Sequence, residues 1–156
     1  MENVMLNTNI YGRPFDDLSN KKVLNEALAS YKIFLLSSSR FFGITTSDVL
    51  FAELSLIKDK SKRDIIFYLI KTVSKERIRL NNKAIEIADL LYPELKDYMD
   101  SLHIAFAAIS NCTYFVTCDK EITNSAYKIE KLLTAKNFNI KIRSPIDFLE
   151  EVEGLL

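Results

Sequence analysis

The feature that most constrains the fold is an alternation of short, β-prone segments with longer segments of helical periodicity. The β-prone segments lie at 4–6, 43–46, 77–80, 113–117 and 140–142. Between them, apolar residues recur three or four positions apart, as at 24, 27, 28 and 31, at 50, 54 and 57, and at 85, 88 and 91. These strands are too apolar for one face of the sheet to be exposed to water, and helices separate them along the chain. This pattern predicts a parallel sheet that is covered on both faces. We therefore expect an α/β fold, a three-layer α/β/α sandwich around a central five-stranded parallel sheet.

Helix-capping residues and the scarcity of Gly and Pro agree with long helices in one domain. Asn81 or Asn82 is expected to open one helix. Ser144, Pro145 and Asp147 supply an N-cap, a first-turn proline and a first-turn acid for the last helix. The segment 33–42 fits a helix end or a further strand, and we favour the helix. With 156 residues and only three Gly and three Pro, the chain contains no linker-like tract, so a single domain over 1–156 is expected.

Composition excludes several classes of function. The formal net charge is zero, so no global charge attracts nucleic acid or anionic lipid. No apolar run approaches the roughly 20 residues that span a bilayer, and no N-terminal signal pattern is present. We therefore expect a cytoplasmic protein with no membrane partner. Cys112 and Cys118 match no metal-ligand spacing, so they are expected to be buried free thiols.

Polar residues follow two of the predicted strands, and two acids lie at unusual positions in predicted helices. Asn7 and Asn9 follow the first strand, and Asp119 follows the fourth. Glu53 interrupts an apolar helical stripe, and Asp100 opens a segment that is otherwise without charge from 101 to 112. Taken singly, Asp100 fits a helix cap and Asp119 fits a turn residue. Glu53 fits a carboxylate that reaches solvent or a local basic partner. Because the carboxyl ends of parallel strands share one edge of a sheet, we expect all of them to converge there.

Five stretches of the chain resemble a known family in order and in spacing. They are LNTNIYGRPFDD, TSDVLFAEL, DSLHIAFAA, FVTCDKEI and SPIDFLEEV. Together they resemble the PIN domain family, and within it the VapC-like toxins of toxin-antitoxin pairs. The resemblance implies a metal-dependent ribonuclease fold with strand order 3-2-1-4-5. It places the family's acids at Glu53, Asp100 and Asp119, with Thr117 and Asn9 as supporting polar residues, whereas the family's first aspartate falls on Asn7.

Clustered acids of this kind suit a hard divalent cation. Mg²⁺ and Mn²⁺ prefer carboxylate and water oxygens and bridge them to phosphate groups. Asn7, Glu53, Asp100 and Asp119 are therefore the expected catalytic and metal-binding residues, for hydrolysis of RNA phosphodiester bonds by an activated water. Asp119 or Glu53 could orient or deprotonate that water. His103 could be a base, although a packed or supporting role fits it better.

The amide at position 7 weakens such a site without removing it. Two carboxylates about 5 Å apart repel by roughly 3 kcal/mol at an effective dielectric of 20, so replacing one of four acids halves the number of repelling pairs. The amide oxygen of Asn7 can still bind a cation, but without formal charge. Three explanations stay open: a natural member with reduced activity, a member retained for binding, or a deliberate Asp→Asn substitution.

The expected partners are RNA, a second copy of the chain and an antitoxin. Two basic clusters could contact RNA phosphates or simply be solvated, namely Lys58, Lys60, Lys62 and Arg63, and Lys71, Lys75, Arg77 and Arg79. The family resemblance implies a homodimer and an antitoxin peptide lying across a groove near the acids. A catalytically inactive PIN-like RNA-binding or protein-interaction module is the main alternative. A phosphatase of the haloacid dehalogenase type is disfavoured because NTN lacks its aspartyl nucleophile.

Overall fold

A computed structural model describes residues 2–154, which form a three-layer α/β/α sandwich. Its central sheet has five strands, all parallel, in the order 3-2-1-4-5. They are β1 (Glu2–Leu6), β2 (Phe42–Ser47), β3 (Ser74–Ile78), β4 (Tyr114–Val116) and β5 (Lys141–Arg143). The predicted fold class and strand order are confirmed. Residues 1, 155 and 156, at the ends of the predicted domain, lie outside the described range.

Helices cover both faces of this sheet. They are α1 (Thr8–Gly12), α2 (Lys21–Ser38), α3 (Asp48–Leu54), α4 (Lys60–Val73), α5 (Asn82–Leu95), α6 (Tyr98–Ile109), α7 (Lys120–Asn124), α8 (Ala126–Thr134) and α9 (Pro145–Gly154), with a 3₁₀ turn at Arg13–Phe15. Asn81 caps α5 by accepting from the Ala84 N–H at 3.0 Å, and Ser144 caps α9 through the Asp147 N–H at 3.1 Å. Both predicted caps are therefore confirmed. No helix within residues 2–154 combines the length and the apolar character that crossing a membrane requires.

The strands bury side chains on both faces, which explains their nearly continuous apolar character. Val4 and Leu6 of β1 enter the core beneath α2, α4 and α9, whereas Met5 enters the core beneath α5, α6 and α8. In β4, Val116 and Phe115 divide between the two cores in the same way. Cys112 and Cys118 are buried free thiols, as predicted.

The third strand differs from its prediction because it lies at the edge of the sheet. It begins at Ser74 instead of 77 and ends at Ile78, and its three central residues are exposed. Ile44 pairs with Ser74 and Thr45 with Glu76, so Lys75 is an extra residue at an irregularity in the ladder. A polar edge strand has no apolar pattern to mark its start, and only pairing with β2 defines it.

The ambiguous segment 33–42 is mostly helical, as favoured. The helix α2 ends at Ser38, and the chain then turns at Arg40, whose φ of 65° is left-handed. The N–H groups of Arg40 and Phe41 donate to the carbonyls of Ser37 and Leu36, the paired bonds of a Schellman motif. This termination frees Phe42 to begin β2.

The apolar stripe that predicted α2 does not face the core. Ala27 is buried, but Leu24, Leu28 and Tyr31 are 37%, 57% and 54% exposed, and Leu35 continues the stripe at 68%. The buried face is formed mainly by small and apolar residues, namely Ala27, Ala29, Ser30, Ile33, Phe34 and Ser37. Periodicity therefore identified the helix correctly, while the exposed row, which we call the α2 stripe (Leu24, Leu28, Tyr31 and Leu35), is left without a partner in the described chain.

Candidate active site

The carboxyl ends of the two central strands bring the first site residues together. Leu6 of β1 pairs with Val116 of β4, and the Asn7 N–H donates to the Val116 carbonyl at 2.9 Å. Asn7 and Thr117, which are 110 positions apart in the chain, therefore follow neighbouring strands at the same edge. This is the edge at which α/β sheets commonly bind ligands.

The side chain of Asn7 is buried and makes hydrogen bonds on both sides of its amide. Its Oδ1 accepts from the Thr8 N–H at 2.8 Å, which caps α1. Its Nδ2 donates to Thr117 Oγ1 at 2.9 Å. The amide therefore joins the end of β1 to the end of β4, and its oxygen is already engaged by backbone.

Thr117 is the centre of this polar network. Besides the bond from Asn7, its Oγ1 accepts from Asn9 Nδ2 at 3.3 Å and from the Asp119 N–H at 3.0 Å. Asn9 Oδ1 in turn accepts from the Cys118 N–H at 3.0 Å. The structure thus places both supporting polar residues, Thr117 and Asn9, in contact with the loop that carries Asp119.

Glu53 reaches the same edge from α3. The Thr8 hydroxyl donates to Glu53 Oε1, and His103 Nε2 lies 3.4 Å from that same oxygen. Burial raises the pKa of the Glu53 carboxyl, but the adjacent His103 ring and hydrogen bonding from Thr8 outweigh it, so the pKa is lowered overall. Glu53 is therefore held as a carboxylate between α1 and α6.

Asp100 lies in the first turn of α6 and is not its cap. Asp97 caps the helix, because its Oδ1 accepts from the Asp100 N–H at 3.0 Å. Burial, which is the largest cause, and the charges of Asp97, Asp119 and Glu53 together raise the pKa of Asp100 to about 6, against an opposing effect of His103. The structure thus brings Asp100 within electrostatic range of both other candidate acids.

Asp119 begins the short helix α7, where its Oδ1 accepts from the Glu121 N–H at 2.8 Å. A turn or cap role for this residue is therefore real, but it occupies only one carboxylate oxygen. Since Thr117 Oγ1 also binds the Asp119 backbone, the loop is fixed relative to Asn7.

The donors fit a divalent cation in chemistry but only partly in arrangement. The charges of Asp119 and Glu53 both act on Asp100, so a cation placed among these carboxylates would relieve repulsion. Within residues 2–154, however, no three His, Cys, Asp or Glu side chains are grouped closely enough to hold a metal ion. Asp100 and Asp119 would hold such an ion, Glu53 would join them through a bound water, and the Asn7 oxygen, which caps α1, would contribute only through its second lone pair.

A cleft of about 330 Å³ lies beside Glu53. Its lining residues are Thr8, Asn9, Gly12, Asp16, Glu53, Leu54, Ile57 and Lys62. Lys62, from the first predicted basic cluster, is the cation of this cleft. In the second cluster, Arg77 instead binds Asp48 at 2.7 Å and lies 4.3 Å over the Phe51 ring, so its charge has a structural partner.

Sequence reasoning missed two polar residues of the site. Thr8 contacts both Asn7 and Glu53, and Asp97 contributes charge to Asp100. A hydroxyl residue directly after a strand-end amide, and a second acid three positions before Asp100, were the available signals. His103, which the sequence analysis favoured as a packed or supporting residue, is 1% exposed.

Comparison with known proteins gives a similarity of fold. No protein-family model matches the sequence, and no curated protein matches it. The chain is similar to one in the crystal structure of VapBC2 from Rickettsia felis bound to a DNA fragment from their promoter. The TM-score is 0.62 at 18% sequence identity, over 91% of this chain and 98% of that chain. At this identity the similarity establishes the fold, and it agrees with the PIN-like architecture.

Proposed function

We propose that this chain is a metal-dependent endoribonuclease of the PIN, VapC-like type, the toxin of a toxin-antitoxin pair, with activity weakened by Asn7. The observation that carries the proposal is the placement of three acids at one sheet edge, where burial, the charge of Asp97 and the charges of Asp119 and Glu53 raise the pKa of Asp100 to about 6. Excess negative charge at a ligand-binding edge favours a divalent cation. Such a cation, Mg²⁺ or Mn²⁺, would supply polarisation of the phosphate and activation of a water molecule.

The residues of the chain have distinct roles in this proposal. Asp100 and Asp119 provide the charge that holds the ion, and Glu53 orients the attacking water. Asn7 and Thr117 keep the ends of β1 and β4 together, so the loop carrying Asp119 stays in place. Lys62 contacts an RNA phosphate from the cleft beside Glu53. We expect this reaction in the cytoplasm, where RNA substrate is available.

The direct test is cleavage of single-stranded RNA with Mn²⁺, comparing the native chain with Asp100→Asn and Asp119→Asn. Both substitutions should abolish cleavage. Asp17→Asn is the matched control, because this exposed acid accepts from the Ser19 N–H in a turn that asparagine also forms well, and its charge does not act on Asp100. Cleavage that persists in both site variants, or that is lost equally in the control, contradicts the proposal.

Thermal unfolding gives an independent measure of the metal. A ligand with a Kd near 0.5 mM, present at 5 mM, stabilises the folded state by about 1.4 kcal/mol, which raises the Tm by about 4 °C for a domain of this size. We expect a shift of that order with Mn²⁺ and a smaller one in Asp100→Asn. An unchanged melting curve at millimolar Mn²⁺ counts against a competent metal site.

A catalytically inactive RNA-binding or protein-interaction module is the second candidate. It is favoured by the engagement of the Asn7 oxygen at 2.8 Å with the Thr8 N–H and by the lack of a three-donor cluster within residues 2–154. The same pair of assays separates the two candidates. RNA binding without cleavage and without a Mn²⁺-induced shift in Tm would support the inactive module.

An antitoxin partner is proposed for the α2 stripe. The exposed charges of α2 beside this stripe are basic, at Lys21, Lys22 and Lys32, with Arg40 just beyond the helix, although Lys32 pairs with the exposed Glu153 of α9; Glu26, the acid of α2, is buried. Apolar side chains with a basic border suit an acidic amphipathic helix. Co-expression with a candidate antitoxin should give a complex that Leu28→Lys disrupts. A self-associating native chain that Leu28→Lys renders monomeric would instead assign the stripe to the proposed homodimer.

A further inference from the structure

The two oxygens of the Glu53 carboxylate have different surroundings. The hydroxyl of Thr8 and the Nε2 of His103 both contact Oε1. Within the described chain, the hydrogen bond and the ion-pair contact of this carboxylate go to Oε1 and leave Oε2 without one. A carboxylate fixed through one oxygen presents the other to a ligand in a defined direction.

His103 is an unusual residue to find at its position in α6. It is 1% exposed, and neither ring nitrogen has a hydrogen-bond partner within residues 2–154. The following residues of the helix, Ile104 to Ala108, are all buried and apolar. A buried polar ring without hydrogen bonds costs free energy that an apolar side chain of similar volume would avoid. Packing alone therefore does not account for a histidine here.

The contact with Glu53 does account for it. Nε2 lies 3.4 Å from Oε1, which is slightly longer than a typical hydrogen bond. A small rotation of the Glu53 carboxylate would bring the two atoms to hydrogen-bonding distance. Since His103 follows Asp100 by three positions on the same helix, α6 contributes one candidate ligand directly and supports a second through the ring.

We propose that His103 is a positioning residue that, together with Thr8, fixes Glu53 so that Oε2 faces the site. The proposal deepens the proposed function and rests on it only where Glu53 is taken as a group that acts on metal or water. The positioning role requires a hydrogen-bond donor at the place of Nε2, whereas a purely structural role requires only a side chain of the same volume. Substitutions that separate donor from volume therefore test it.

The first arm of the experiment uses no metal. His103→Leu keeps an apolar side chain of similar volume, and His103→Gln keeps an N–H donor close to the position of Nε2. Each is combined with Glu53→Gln in a double-mutant cycle, with the free energy of unfolding measured by urea denaturation in EDTA. We expect the effects of His103→Leu and Glu53→Gln to be clearly non-additive, and His103→Gln to be closer to the native chain. Additive effects would overturn the proposal.

The second arm measures Mn²⁺ affinity by calorimetry on the same variants. Loss of an outer partner of a metal ligand typically weakens affinity 10- to 100-fold. We expect at least a 10-fold loss in His103→Leu and a change within about threefold in His103→Gln. Where the native chain binds Mn²⁺, an equal affinity in His103→Leu would overturn the positioning role.

The two arms separate this inference from the proposed function. If the native chain binds Mn²⁺ but the cycle is additive, His103 has no positioning role and the metal site stands. If the cycle is non-additive and the native chain does not bind Mn²⁺, the positioning of Glu53 is supported and the metal-dependent function fails.

Discussion

Substituting Asn7→Asp returns a fourth carboxylate to the sheet edge with little change in local hydrogen bonding. Aspartate and asparagine are equally good helix N-caps, so the bond from the Thr8 N–H is retained. The bond from Asn7 Nδ2 to Thr117 Oγ1 is lost, but the Thr117 hydroxyl proton can donate to the new carboxylate instead. The main effect is therefore electrostatic.

The expected magnitude follows from burial and from the neighbouring acids. Asn7 is 4% exposed, shares its neighbour Thr8 with Glu53 and shares Thr117 with the Asp119 N–H, and both of those acids act electrostatically on Asp100. A like-charge pair at about 6 Å costs up to about 3 kcal/mol at an effective dielectric of 20, and solvent and partial protonation reduce the sum. We expect a net loss of about 2 to 4 kcal/mol in the free energy of unfolding in EDTA at pH 8.

With Mn²⁺ or Mg²⁺ the sign of the effect should reverse. The added charge should tighten cation binding, so the variant should recover stability and cleave single-stranded RNA faster than the native chain. The assay is a pair of urea denaturation curves, with EDTA and with 5 mM Mn²⁺, beside an RNA cleavage time course.

Two controls make the result specific. Asn9→Asp adds the same charge at the next strand-end amide, and Asp119→Asn in the Asn7→Asp background should abolish any gained cleavage. If Asn7→Asp changes stability equally with and without metal and gains no cleavage, Asn7 is not a weakened metal ligand. The inactive interaction module then becomes the better account of the chain.

Three further predictions follow from the described contacts. Because the folded-state pKa of Asp100, about 6, lies above its ordinary value of 3.8, its contribution to stability is full below about pH 4 and is lost as the pH rises through 6. Asp100→Asn should therefore stabilise the protein in EDTA by about 1 to 2 kcal/mol at pH 8, after allowance for solvent screening. Below pH 4 the substitution should have no effect. Urea denaturation at the two pH values measures both, and an effect that does not change with pH contradicts the prediction. Arg13→Ala should lower the free energy of unfolding by about 3 kcal/mol, because it leaves the buried Glu26 without its partner 3.3 Å away. Glu26→Ala should lower it less, because Arg13 keeps Asp16 at 2.8 Å. The opposite order would show that Arg13 is the charge that needs a partner. Leu28→Lys, at a position 57% exposed, should change the free energy of unfolding by less than about 0.5 kcal/mol, and a loss above 2 kcal/mol would mean that the α2 stripe is packed.

Local patterns in the sequence were sufficient for the apolar strands and for the helix caps. The apolar segments of β1 and β4 and the caps at Asn81 and Ser144 act over a few residues, so they can be recognised without any tertiary information. Strand order came from the family resemblance of spaced motifs, and the structure confirms it. The start of β3 could not be found in this way, because its residues are polar and pairing with β2 alone defines it.

The partners of the site residues were decided by tertiary structure. The sequence placed Asn7, Glu53, Asp100 and Asp119 at element ends that a parallel sheet brings to one edge. It could not show that Asn7 donates to Thr117, 110 positions away, because such a bond depends on the register of β1 with β4.

The same limit applies to which side of a helix is buried. Periodicity alone could not distinguish the exposed Leu28 from the buried Ile33, since both lie on apolar rows of α2 and only packing against the sheet selects one. The sequence by itself therefore determined the apolar strands, the helical segments between them and the caps at Asn81 and Ser144, because those properties depend on neighbours along the chain. Only the tertiary structure decided the hydrogen bonds of Asn7, the contact of His103 with Glu53 and the exposure of the α2 stripe, because these depend on side chains that meet through folding across long separations in sequence.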